Sequence, residues 1–250
     1  MDRRNSHNAS KKVGTDMTKY ETLLFDVDDT LLDFDLAENA ALERMFKEEN
    51  IQVTPEMIAR YKEINESMWR AFERGEVSKN TLHNTRFAIA LKEYGIEVDG
   101  AYFETLFQKY LCEAHHYVED AYEVIAQLAN HYHLYVVSNG VTATQNKRLM
   151  DANLAQYFKG IFISEQTGYQ KPMPAFFDYV FERIGDFDKA KTLIIGDSLT
   201  SDIKGGLQSG IDTCWFNIRN VENTSGIEPH YEIKKLDDLH ELLNQKITQY

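Results

Sequence analysis

Five short apolar runs restrict the fold of this chain of 250 residues more than any other feature. They are Thr22–Val27, Leu134–Val137, Gly160–Ile163, Thr192–Ile195 and Thr213–Phe216. Each is too short for a buried helix and shows little polar alternation, the pattern of a strand covered on both faces. Helical patterns fall between them at Ala121–Asn130, Thr142–Ala152, Pro174–Ile184 and Ser201–Ser209, with Gly210 as a stop, and a last one at about Leu236–Asn244 closes the chain. Strands alternating with helices predict an α/β fold, a doubly wound parallel sheet with helices on both faces.

The first connection breaks this rhythm. A crossover between parallel strands needs only about a dozen residues, yet residues 35–117 separate the first two runs. They contain four helical patterns, Leu36–Glu49, Pro55–Arg74, Ser78–Tyr94 and Ala101–His115. Pro55 suits a first helical position after Thr54, and Gly75 and Gly95 mark stops. The expected division is an α/β core over 17–34 and 118–250 and an inserted all-helical domain over 35–117. Residues 1–16 are polar, lack the apolar stretch of a signal peptide and read as a tag or disordered extension.

Lys and Arg number 27 against 40 Asp and Glu, a formal net charge of −13. Such a chain repels nucleic-acid polymers. No run approaches the ~18 apolar residues of a membrane span. Cys112 and Cys214 are too few and too far apart for a disulfide framework or a metal knuckle, and both read as small buried hydrophobes in a reducing cytoplasm.

Ligands of open α/β sheets bind at the carboxyl ends of the strands. Those ends carry Asp26-Val27-Asp28-Asp29-Thr30, then Ser138-Asn139-Gly140, then Gln170-Lys171-Pro172, then Gly196-Asp197-Ser198 with Asp202 beyond. Asp26, Asp28 and Asp197 would repel one another by about 4 kcal/mol per pair at ~4 Å unless a cation joins them. Oxygen donors without His or Cys favour Mg²⁺, and Lys171 and Ser138 then suit the oxygens of a bound phosphate. Other residues read as structural: Asp29 as a turn former, Asp33 and Asp35 as capping or solvated, Gly205-Gly206 as helix packing, and His115, His116, His131 and His133 as lacking ligand partners.

The ordered motifs, Asp26-x-Asp28-x-Thr30, Ser138, Lys171-Pro172 and Gly196-Asp197-Ser198 with Asp202, resemble the haloacid dehalogenase-like (HAD) hydrolase superfamily in its phosphatase branch, from residue 17 to about 245. The resemblance implies a Rossmann-like core with a helical cap. It implies Asp26 as the nucleophile, Asp28 as general acid and base, and Mg²⁺ held by Asp26, Asp197 and the backbone carbonyl of Asp28. Asp202 would steady these groups, and Ser138, Asn139 and Lys171 would hold the phosphoryl group. The stretch Leu82-His83-Asn84-Thr85-Arg86-Phe87-Ala88-Ile89-Ala90 is similar to the pyrimidine 5′-nucleotidase and N-acylneuraminate-9-phosphatase-like subgroup. It implies a cap that admits small phosphorylated metabolites, with Arg86 reaching the substrate and Trp69 and Phe72 either stacking on a base or packing the cap. The leading expectation is a cytoplasmic Mg²⁺-dependent pyrimidine 5′-nucleotidase. A sugar-phosphate phosphatase, a phosphomutase and an inactive binding module are the alternatives. None of Lys62, Lys79 and Lys92 stands out as a Schiff-base former for phosphonate hydrolysis, and oligomeric state is left open.

Overall fold

In the computed structural model, residues 19–244 are described; the extension read over 1–16 lies outside them. β1 (Thr22–Phe25) occupies the middle of a parallel sheet, between β2 (His133–Ser138) and β4 (Thr192–Gly196). β3 (Gly160–Ile163) flanks β2, and β5 (Asp212–Phe216) and then β6 (Tyr231–Ile233) lie beyond β4. Phe25 pairs with Val136 on one side and Ile195 on the other. Leu23 and Phe25 face one apolar layer, which includes residues of α5 (Ala121–Leu128), α6 (Thr142–Asp151) and α10 (Asp238–Leu243). Leu24 faces the opposite layer with Phe176, Phe177 and Val180 of α8 (Pro174–Phe181). The sheet is therefore buried on both faces, as its continuous apolar strands require.

Three elements differ from the sequence reading. β6 was not expected: Tyr-Glu-Ile has one buried residue, Ile233, and forms the sheet's edge, so it carries no apolar run. A single helical turn, α7 (Ser164–Thr167), follows β3 and stops at Gly168 in the left-handed region. The helix read over Ser201–Ser209 begins instead as a wide π turn over Leu199–Ile203 before α9 (Lys204–Ser209). Gly205 and Gly206 do serve packing: a Cβ on Gly206 would lie 2.6 Å from Ile194 Cγ2 of β4. Cys214 is buried, but Cys112 is only partly so, because it closes a helix at the surface.

Between β1 and β2 run α1 (Phe34–Glu48), α2 (Pro55–Glu73), α3 (Lys79–Lys92) and α4 (Gly100–Leu111). Asp33, Thr54, Ser78 and Asp99 cap their first turns through side-chain oxygens. The four helices bury their own apolar cluster, with Leu42, Met45, Phe87, Phe103 and Phe107 among its residues. The chain enters and leaves this insert side by side: Asp33 N–H donates to His116 O at 2.9 Å and Val118 N–H to Leu31 O at 3.0 Å.

Polar groups are also buried inside the insert. Arg86, expected at the substrate, is 1% exposed. Its Nε and Nη2 donate to Glu104 Oε2 at 3.0 and 2.6 Å, and its Nη1 to Asn65 Oδ1 at 2.7 Å. All three guanidinium nitrogens are thus spent within the insert, so Arg86 is a structural ion pair here and not a substrate contact. His83 Nδ1 lies 3.7 Å from Glu104, but that carboxylate already serves Arg86 and Gln108. Burial, aided by Arg86 and Lys79, therefore lowers the His83 pKa to about 3. The unfolded chain takes up a proton near pH 6.5 and the folded one does not until far lower, so this histidine makes stability fall as pH drops below about 6.5. His83→Gln should flatten the decline in unfolding free energy between pH 7 and 5 by on the order of 2 kcal/mol, measured by urea titration. Parallel pH slopes for parent and variant would refute the assignment.

Candidate active site

The strand register brings the ends of β1, β2 and β4 level. Asp26 continues β1, its N–H bonded to Ile195 O at 3.0 Å. Ser138 ends β2, and Asp197 follows β4 with its carbonyl held by Trp215 Nε1 at 2.8 Å. Lys171 enters from the loop before α8. Its buried ammonium donates to Asp26 Oδ1 (2.6 Å), Val137 O (2.7 Å) and Asp202 Oδ1 (2.7 Å). Burial alone would lower its pKa, but Asp202 and Asp26 outweigh burial and raise it above the usual lysine value. Lys171 is a fixed cation.

Asp202 has both oxygens engaged, Oδ1 by Lys171 and Oδ2 by the Ser198 N–H at 3.2 Å. The π turn and Gly196 make this possible, since a Cβ on Gly196 would fall 2.2 Å from Asp202 Oδ2. Carboxylate oxygens of Asp26, Asp197 and Asp202 lie within 4.8 Å of one another. Among the described residues, nothing donates a hydrogen bond to the Asp197 carboxylate. Burial pushes the Asp26 carboxyl up to about 8, against Lys171 and with help from Asp202 and Asp28. Asp197 is raised well above the carboxylate range by burial, then by Asp26 and Asp202.

Asp28 accepts Arg148 Nη1 on Oδ1 at 2.5 Å and Gln145 Nε2 on Oδ2 at 2.6 Å. Gln145 Nε2 also reaches Ser138 Oγ at 3.0 Å, and the Gly140 N–H reaches the same oxygen at 3.1 Å. Ser138 Oγ accepts twice, which leaves its own proton to donate elsewhere. Sequence reasoning missed Gln145 and Arg148. The available signal was a polar stripe: Thr144, Gln145 and Arg148 occupy the buried side of α6, where an amphipathic helix carries apolar residues.

Asn139, expected at the phosphoryl group, turns its side chain to the backbone of Lys171, donating to its carbonyl and accepting from its N–H, both at 2.9 Å. It braces the lysine loop. Insert residues also touch the rim of the site: Lys79 Nζ bonds Gly140 O at 2.5 Å, Glu73 accepts Thr200 Oγ1 at 2.7 Å, Gln108 accepts Thr144 Oγ1 at 2.7 Å and Phe72 O accepts Gln170 Nε2 at 3.0 Å. Burial lowers the Lys79 pKa to about 8, against Glu165. Phe72 is buried, while Trp69 stays partly exposed beside Phe72 and His83.

The site thus sets four carboxylates, Asp26, Asp28, Asp197 and Asp202, against two cations, Lys171 and Arg148. Oxygen-only donors, an unpartnered carboxylate and surplus negative charge fit a hard divalent cation. Asp26 and Asp197 each have an oxygen free to offer it, while both Asp202 oxygens already accept a hydrogen bond.

A parallel sheet with an aspartate pocket at its carboxyl edge and a helical insert after the first strand is the architecture of HAD hydrolases. A profile of the haloacid dehalogenase-like hydrolases matches residues 23–216, and the chain belongs to that family. It is 52% identical to the HAD-hydrolase YfnB of Bacillus subtilis, over 93% of this chain and 99% of that protein. A magnesium-bound crystal structure of YfnB, described as revealing interdomain movement, superposes with a TM-score of 0.87 over 90% of this chain and 99% of that one. Pyrimidine 5′-nucleotidase PynA of Streptococcus pneumoniae is 40% identical over 92% of this chain and 98% of its own length. Pyrimidine 5′-nucleotidase YjjG of Escherichia coli is 30% identical over 90% and 98%.

Relief of the carboxylate repulsion should appear as stability. Mg²⁺ at about 100 times its dissociation constant should raise the unfolding free energy by about 2.7 kcal/mol, and Asp197→Asn should remove most of that gain. A melting temperature that ignores Mg²⁺ would contradict the cation site.

Proposed function

We propose that this chain is a Mg²⁺-dependent phosphomonoesterase that hydrolyses pyrimidine nucleoside 5′-monophosphates through an aspartyl-phosphate. The observation that carries this reading is Asp26, with one oxygen on Lys171 and the other unclaimed, two residues from a second carboxylate held separately by Gln145 and Arg148. The choice of nucleotide rests on the two relatives named as pyrimidine 5′-nucleotidases, each matched over nearly its whole length.

Asp26 attacks phosphorus, and Asp28 gives its proton to the departing alkoxide. Asp28 then takes a proton from the water that cleaves the aspartyl-phosphate, releasing phosphate and restoring Asp26. The Ser138 proton and the Asn139 backbone N–H meet phosphoryl oxygens, and Lys171 balances the charge of Asp26 and phosphate. Asp26, Asp197 and the Asp28 carbonyl would hold Mg²⁺, which would supply charge neutralisation and alignment at the phosphoryl group. The helical insert acts as the cap, excluding water and bulky esters, with Trp69 as a face for the base. A cytoplasmic location belongs to the same reading; no described helix is long and apolar enough to cross a membrane.

Phosphate release should be measured on UMP, dUMP, dTMP, sugar phosphates and p-nitrophenyl phosphate, with Mg²⁺ and with EDTA. Activity should need Mg²⁺ and favour the nucleotides; a preference for sugar phosphates would overturn the nucleotide assignment. Asp26→Asn should abolish turnover in a folded protein. Asp28→Asn should lower kcat on UMP by about 10²–10⁴-fold and by less on p-nitrophenyl phosphate, whose leaving group needs less protonation. Turnover near the parent rate in folded Asp26→Asn would refute the mechanism.

A further inference from the structure

We propose that Gln145 and Arg148 are positioning residues that fix the Asp28 carboxylate and the Ser138 hydroxyl as one unit for both steps of the reaction. The proposal rests on the phosphoryl-transfer reading above and concerns two residues of α6 that touch neither the phosphoryl group nor the cation in that reading.

The hydrogen bonds run in one direction. Arg148 Nε is anchored on Ala114 O, in the segment returning from the insert, at 2.9 Å. Its Nη1 donates to Asp28 and, at 3.0 Å, to Gln145 Oε1. With Oε1 occupied as an acceptor, the Gln145 amide has only one orientation, and its NH₂ faces Asp28 and Ser138 together. Ser138 in turn can only donate outward. The Gly140 turn keeps room for this amide: a Cβ there would stand 2.6 Å from Gln145 Nε2.

The arrangement is poor as mere packing. Arg148 is fully buried, and its Nη2 has no partner among the described residues. A buried cation and an unsatisfied donor both disfavour folding unless a charge requires them. The charge present is Asp28, whose side chain is 30% exposed and would otherwise choose among rotamers. An acid–base group displaced by about 1 Å loses on the order of 10²-fold in rate.

The test is stopped-flow release of p-nitrophenol from p-nitrophenyl phosphate with Mg²⁺, beside steady-state kinetics on UMP, for Gln145→Met, Arg148→Lys and Gly140→Ala. Hydrolysis of the aspartyl-phosphate needs Asp28 as base, whereas p-nitrophenolate leaves with little help. Each variant should therefore show a burst of about one p-nitrophenol per site and then a steady rate about 10- to 100-fold below the parent. KM should rise by less than kcat falls, because neither residue touches substrate and only the Ser138 hydroxyl they hold reaches it. Folded variants that keep the parent kcat would overturn the proposal. So would a burst lost in proportion to the steady rate, which would place the damage at Asp26 or the cation site, and so would failure of all three variants to fold. A parent protein that releases no p-nitrophenol would instead overturn the phosphatase reading.

Discussion

One buried ammonium joins the parts of this site. Lys171 ties Asp26 at the end of β1, the end of β2 through Val137 O, and Asp202 in the π turn after β4. Without it, the carboxylates that the sheet brings together would repel at short range, and each pair would oppose the register of the central strands. Its three donors meet three acceptors, so its position has no slack. It cannot neutralise the whole cluster, and the remaining negative charge fits a divalent cation.

The contacts between insert and core are of another kind. Lys79 to Gly140, Thr200 to Glu73, Thr144 to Gln108 and Gln170 to Phe72 are polar bonds between parts that each bury their own apolar cluster. A hydrogen bond exchanged with water contributes only about 1 kcal/mol net. Two of these bonds land on segments of the site, at Gly140 and Thr200, and a third lands on α6 beside Gln145.

The parallel core was legible because a strand buried on both faces must be apolar throughout, and its ends are where topology collects functional groups. β6 was hidden because an edge strand with one buried side chain leaves no pattern. The widened turn before α9 was hidden because a π turn and an α-helix place similar residues on a buried side. Arg86 was misread because the sequence does not say which charge it meets; Glu104 lies on the next helix, and both are buried together. Asn139 stands at the expected strand end, yet its amide is taken by a backbone 32 residues away. Gln145 and Arg148 follow no named motif, and only their burial on α6 sets them apart.

The two chain passages into the insert lie against each other, joined by Asp33 to His116, Val118 to Leu31 and the bridge between Leu32 and Tyr117. All four helices therefore hang from one narrow stem, and none of the sheet's ladder runs through them. A polypeptide built this way treats the segment as a cassette. The helices can be exchanged or lengthened beyond the stem while β1 keeps its neighbours, so the two parts of the chain can diversify on separate tracks.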